Sequence, residues 1–424
     1  MIRPRASIRP ALCVLRAAAL VRGRPSENRH EMHEVVVAGA VRTPIGKFGG
    51  ALSRLSAAQL GSAAAREALS RAGITPSQVD EAIFGCARQA GGGPNVARQI
   101  AYRAGVPPEV PAYTVNMACG SGLKSLQLAY KAVLDGDAGV VLAGGAESMS
   151  RVPYLLTGAR WGYRMGHQEA VDAMYQDGFL CPLAEQLMGE TAETLAGMYK
   201  ITREEQDAFA LRSQERASRA IAEGRFDSEI VPVSAPAGKG EEKVARDEHP
   251  RAETTLASLG KLPPVFKDEG GTVTAGNSSG ITDGASAMLV LRRETADTLK
   301  VAPMARLLGV ASAGVDPHVM GIGVVPAVKR LLEELKMRLS DFDLVEVNEA
   351  FAAQVLACDR ELHFDPDRLN VNGGAIALGH PIGATGARIA TTLVHEMKRR
   401  GARRGLATLC ISGGMGLAAA FEAA

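Results

Sequence analysis

Apolar positions along this chain follow two periods in turn. "EVVVAGAVRTP" (34–44) begins with a continuous apolar run, which predicts a strand buried on both faces and then a loop. "SAAQLGSAAAREALSRAG" (56–73) spaces its apolar residues at helical intervals and closes on Gly73, suited to a left-handed C-cap. "SQVDEAIFGCA" (77–87) and "AGVVLAGGAESM" (138–149) read as further strands, the second ending in a glycine turn. Strands alternating with helices predict α/β layers.

The last third repeats this plan. "PSQVDEAIFGCA" is echoed by "LSDFDLVEVNEAFA", and "YTVNMACGSGLKSLQLA" by "LNVNGGAIALGHPIGATGARIA". "VVLAGGAESM" is echoed by "LATLCISGGMG". The echoes stand 256 to about 268 residues apart, as an ancient duplication of one α/β unit would leave them. Between them, residues 153–271 differ in texture. "REEQDAFALRSQERASRAIAEG" is a charged helix with one apolar stripe, followed by an irregular stretch rich in Gly, Pro and charge. The predicted organisation is an N-terminal extension (1–32), a first half (33–152 and 272–300), an inserted loop domain (153–271) and a second half (301–424).

Composition narrows the function. The 424 residues are 46% hydrophobic and 22% charged, with a net charge of +2, ordinary for a globular protein. The first 31 residues hold seven arginines and two glutamates, so the remainder is slightly acidic and offers no broad basic face for nucleic acid. No apolar run reaches the ~18 residues of a membrane span. The six cysteines show no CxxC and no metal-ligand spacing, which fits a reducing compartment and no bound metal. The Arg- and Ala-rich extension has the composition of a mitochondrial transit peptide, but a disordered tail, or an upstream start with the true start at Met32, is favoured, with a cytoplasmic protein as the expectation.

Candidate chemistry gathers at the strand ends. Cys119, in "NMACGSG", stands where a strand becomes a helix. A thiolate there meets the helix dipole and free N–H groups, which would lower its pKa, and Gly120 and Gly122 would leave room for a substrate. His380, in "GHPIGATGAR", could take the thiol proton. That loop lacks G-K-[ST] and GxGxxG, so a phosphate loop is a weak alternative. Cys410 ends an apolar strand, and Asn348 ends another in "LVEVNEAFA". If the duplication holds, all four lie at the same end of their sheets, where α/β folds place their sites. Cys13, Cys86, Cys181 and Cys358 carry no partner signal and read as structural.

"NMACGSG", "NEAFA", "GHPIGATGAR" and "CISGGMG" together resemble the signature segments of the thiolase family, in the family's order, with "RTPIGKFGG" and "VTAGNSSGITDGA" adding to the likeness. The resemblance implies a five-layered αβαβα fold, made of two similar halves plus a loop domain and assembled as a homodimer or homotetramer. It implies CoA-dependent cleavage of 3-ketoacyl-CoA or the reverse condensation, with CoA a substrate and no further cofactor. Carried over by position, Cys119 is the acylated nucleophile, His380 its base and Cys410 the acid/base for the α-proton. Asn348 would hold a water in one oxyanion hole, and the N–H groups of Cys119 and Ser412 would form the other.

Two positions depart from the family. Ser412 stands where glycine is common, so its Cβ could crowd the thioester or restrict the turn. Leu187 replaces a histidine of short-chain biosynthetic relatives beside the matching Met188, and would admit longer or branched acyl chains. Arg251, Ser258 and Ser279 align with CoA contacts, and Phe351 and Met188 with the pocket wall. A decarboxylating synthase of the same superfamily would lack Cys410. A catalytically inactive CoA- or lipid-binding relative would lose the nucleophile or the histidine, whereas both are present.

Overall fold

A computed structural model describes residues 33–424; the N-terminal extension lies outside the described residues. Nine strands carry the architecture: β1 (Val35–Arg42), β2 (Glu81–Gly85), β3 (Ala112–Val115), β4 (Val140–Ser148), β5 (Thr282–Arg292), β6 (Ala305–Gly314), β7 (Leu344–Val347), β8 (Arg404–Ile411) and β9 (Met415–Ala423). Eight helices accompany them: α1 (Ala57–Ala72), α2 (Val96–Arg103), α3 (Ser121–Asp135), α4 (Met188–Tyr199), α5 (Arg203–Ala222), α6 (Val324–Leu335), α7 (Ala352–Leu362) and α8 (Ile382–Arg400).

The strand order β7-β8-β9-β6-β1-β5-β4-β2-β3 makes the repeat visible. On one side β1 pairs antiparallel with β5, β5 antiparallel with β4, and β4 parallel with β2. On the other, β6 pairs antiparallel with β9, β9 antiparallel with β8, and β8 parallel with β7. The halves meet where β1 and β6 pair antiparallel at Val36–Arg306 and Val37–Ala305. The order of pairings is the same in both halves, as the echoed segments predict.

Burial divides the apolar side chains into layers. One core lies between α1, α2 and the first half-sheet, and another between α6, α7 and the second. A third lies between them, where α3 and α8 pack on each other and on both half-sheets. Helix, sheet, paired helices, sheet, helix is the five-layered αβαβα arrangement expected from the sequence. Because α8 is enclosed on every side, it buries polar as well as apolar positions, among them Thr385 and Arg388.

Gly73 closes α1 at φ 69°, as read from the sequence, and Ser56 caps its other end in a capping box with Gln59. The stripe of α5 is buried through Phe209, Ala210, Ala217 and Ala220. Two expectations change. "VSAPAGKGEEKV" is not irregular: Val233–Ala237 and Gly240–Val244 form an antiparallel hairpin. Gly122 leaves no room for substrate, because a Cβ there would lie 2.7 Å from the backbone N of Ala387; its bareness lets α3 and α8 touch. A Cβ on Gly120 would likewise lie 2.5 Å from Ile411 Cδ1.

Candidate active site

Both central helices begin two residues after a chemically capable side chain. Cys119 precedes α3, and His380 precedes α8. The Cys119 loop is tied down locally. Asn116 Oδ1 accepts the Ala118 N–H (3.0 Å), while Ser121 Oγ accepts the Met117 N–H (2.9 Å) and donates to the Ala118 carbonyl (2.6 Å). Ala118 is held at φ 45°, a left-handed conformation costing roughly 1–3 kcal/mol for a residue with a Cβ.

Cys119, His380 and Ser412 line one cavity of about 540 Å³. Cys410 is fully buried and does not line this cavity; burial raises its pKa, and a charge on the Cys119 thiol would raise it further. The backbone N–H groups of Ser412 and of Cys119 lie near the Cys119 sulfur and favour its thiolate. The Cβ of Ser412 does not strain the turn between β8 and β9, because the left-handed positions there are Gly413 (φ 85°) and Gly414 (φ 83°).

The Cys119 pKa corrects the sequence reading. Burial pushes the thiol above its ordinary value, although the Arg88 charge and the two N–H groups pull it down. Position before a helix is outweighed by removal from water. His380 shifts the other way: burial, then the charges of Arg388 and Arg88, depress it to about 3. The resting pair is therefore a neutral thiol and a neutral imidazole.

The imidazole tautomer follows from its neighbours. Thr385 Oγ1 donates to the Pro381 carbonyl (3.0 Å), so its lone pair accepts from His380 Nδ1–H (2.6 Å). Nε2 is left with a lone pair. Asn348 Nδ2 lies 3.5 Å from it, and Asn348 Oδ1 is buried without a partner, a position that suits a water or a substrate group. Thr385 escaped the sequence reading; its only signal is its place five residues after His380.

A second residue that escaped it is Glu147, at the end of β4. Its carboxylate accepts N–H groups from Ala87 (3.0 Å), Arg88 (3.0 Å) and Gly383 (2.7 Å), joining the loop after β2 to the start of α8. Cys86 donates to the same carboxylate, which agrees with its structural reading.

The remaining predicted residues divide between two cavities. Leu187, Met188, Phe351 and Ser279 line the main one, where Phe351 meets Phe266 edge-on at 6.1 Å. Ser279 also donates its backbone N–H to the Ala350 carbonyl. Ser258 lies instead in an adjoining cavity of about 260 Å³, where its Oγ accepts the Thr255 N–H. Arg251, His249 and Ala275 line both cavities. Among the described residues no group of three His, Cys, Asp or Glu side chains could hold a metal ion.

A thiol, a neutral imidazole and converging N–H donors at a largely apolar cavity define a site for acyl transfer through sulfur. The chain matches the family models "Thiolase, N-terminal domain" over residues 35–294 and "Thiolase, C-terminal domain" over residues 301–423. It is 52% identical over 394 residues to the acetyl-CoA acetyltransferase of Syntrophomonas wolfei, covering 92% of this chain and 99% of that one. The crystal structure of the Bacillus anthracis acetyl-CoA acetyltransferase superposes with a TM-score of 0.91 at 46% identity, over 93% of this chain and 99% of that one. Human mitochondrial 3-ketoacyl-CoA thiolase, solved in complex with CoA, gives 0.89 at 42% identity, over 93% and 98%. This chain belongs to the thiolase family and is an acyltransferase.

Proposed function

We propose that this protein catalyses the reversible, CoA-dependent cleavage of 3-ketoacyl-CoA to acetyl-CoA and a shortened acyl-CoA. In the forward direction His380 Nε2 accepts the Cys119 proton as sulfur attacks the ketone. The new Nε2–H and a water held by Asn348 then face the developing oxyanion. The C–C bond breaks, Cys410 protonates the departing acetyl-CoA carbanion, and CoA takes the acyl group from Cys119. The N–H groups of Cys119 and Ser412 stabilise the acyl-enzyme oxyanion, each such donor contributing about 3 kcal/mol. Ping-pong kinetics follow from the covalent intermediate.

The observation that carries this reading is the common cavity wall formed by Cys119, His380 and Ser412; Cys410 is buried outside that wall, within electrostatic reach of Cys119. CoA would lie along the wall shared by the two cavities, with Arg251, Ser258 and Ser279 toward its nucleotide and pantetheine. Leu187, Met188 and Phe351 would face the acyl chain, and the apolar Leu187 favours chains longer than acetoacetyl. We infer a homodimer or homotetramer that works in the cytoplasm, or in the mitochondrial matrix if residues 1–31 act as a transit peptide. No helix among the described residues is long and apolar enough to cross a membrane.

The test is the absorbance of the Mg²⁺–acetoacetyl-CoA enolate after CoA is added, with intact-protein mass recorded in parallel. Loss of absorbance and an acetyl adduct on Cys119 are expected. Folded protein that leaves the absorbance unchanged overturns the proposal.

A further inference from the structure

Resting on the thiolase reading above, we propose that Arg88 receives a carboxylate at the far end of the acyl chain, so that the preferred substrates are 3-ketoacyl-CoA esters of dicarboxylic acids. The charged lining of the main cavity is one-sided. Lys47, Arg88 and Arg251 all face it, and no aspartate or glutamate does. Arg251 also lines the adjoining cavity given above to CoA, whereas Arg88 does not.

Arg88 is a positioned charge whose donors are unspent. Its backbone N–H is held by Glu147, which sets where the side chain starts. Its guanidinium packs on Gly178, where any Cβ would overlap it. Gly178 belongs to a π-turn, Tyr175–Phe179, whose Tyr175 and Phe179 line the same cavity. Yet among the described residues the guanidinium makes no hydrogen bond and no ion pair, and its Nε is buried without a partner. Glu147, engaged by three backbone N–H groups, attracts the Arg88 charge through space but makes no direct ion pair with it. The nearby wall of Ala87, Met149, Phe179 and Ile382 is apolar. Leaving guanidinium donors without acceptors against such a wall is costly. A planar carboxylate on the substrate matches its fork of donors.

The chemistry needs no added reactant. The Cys119 thiolate attacks C3, the C2–C3 bond breaks, and its electron pair takes a proton from Cys410 at C2, releasing acetyl-CoA. The ω-carboxyacyl group on Cys119 then passes to the sulfur of CoA, whose proton restores Cys410, while His380 returns its proton to the freed Cys119 sulfur. The ω-carboxylate takes no part beyond pairing with Arg88.

The experiment compares kcat/KM for 3-oxoadipyl-CoA and for 3-oxohexanoyl-CoA, which matches it in length but lacks the charge. Wild type should favour the carboxylated chain at least tenfold. Arg88→Leu should reduce that ratio by roughly tenfold to a hundredfold, the range of a charge-assisted bond. Equal rates in wild type, or a ratio that survives Arg88→Leu, overturn the proposal. A uniform loss on both chains does so too, and makes Arg88 a counter-charge to Glu147 and Cys119. If Arg88→Leu does not fold, wild type alone decides: succinyl-CoA should acylate Cys119 faster than butyryl-CoA by intact mass, and the opposite order overturns the idea. No turnover of any 3-ketoacyl-CoA, acetoacetyl-CoA included, would instead mark failure of the thiolase reading itself.

Discussion

The two halves of this molecule share a strand order and differ in what they offer at corresponding places. The first puts Cys119 before its central helix, on a loop strained at Ala118 and braced by Asn116 and Ser121. The second puts His380 before its own, with Thr385 from the first turn of that helix holding Nδ1. At the strand ends the first half supplies Glu147, whose carboxylate does only structural work, while the second supplies Cys410 and Asn348. The two halves thus offer corresponding addresses with different occupants: in the proposed mechanism one half captures the acyl group and the other manages protons. An active site assembled this way depends on the contact between α3 and α8 as much as on any side chain.

The division of labour can be broken most severely at the sulfurs. Cys119→Ala should lower thiolysis by about 10³-fold or more and abolish the acyl adduct seen by mass. Cys410→Ala should cost about 10²–10⁴ in turnover, as loss of a general acid does, yet still allow acetyl-CoA to label Cys119. If labelling and turnover vanish together in Cys410→Ala, the halves are not separable.

Thr385→Val probes the second half more gently. It leaves the His380 N–H without an acceptor, a loss of about 1–3 kcal/mol that should appear as roughly tenfold to a hundredfold in kcat with little change in KM. Thr385→Ser should recover most of it, which a merely structural role would not require.

Gly122→Ala tests the seam. The new Cβ would press on Ala387, so we expect a loss of about 1–3 kcal/mol, read as a lower Tm, with activity falling alongside.

The least local readout is a pH dependence of stability. His380 is depressed to about 3 against an unfolded value near 6.5, so its contribution is complete above about 6.5 and lost as pH falls toward 3. Glu346 runs the other way. Burial raises it to about 8 despite Arg388, whose Nη1 is 3.9 Å away, so its contribution is complete below about 4.5 and fades as pH rises through 8. Glu346→Gln should flatten the alkaline slope of a denaturation series and His380→Asn the acidic one.

Much of this was legible in the chain. Gly73 announces the end of α1 because caps are local, and the echoed strands reveal the pseudo-repeat because burial on both faces restricts them to small apolar residues. Cys119, His380, Cys410, Asn348 and Ser412 stand out as members of motifs. What escaped depends on contacts across long separations. Glu147 grips Gly383 at a distance of 236 residues, and Arg88 matters because Gly178 makes space for it. The Cys119 pKa was misjudged because a local rule about helix ends cannot report how much water the surrounding layers remove.

The enclosure of α8 has a consequence for how such a protein can change. Nearly every residue from Ile382 to Val394 is packed against something, so mutation there is felt by both half-sheets at once. New appetites must therefore be acquired at the periphery, on segments such as the π-turn around Gly178, while the interior is inherited almost untouched.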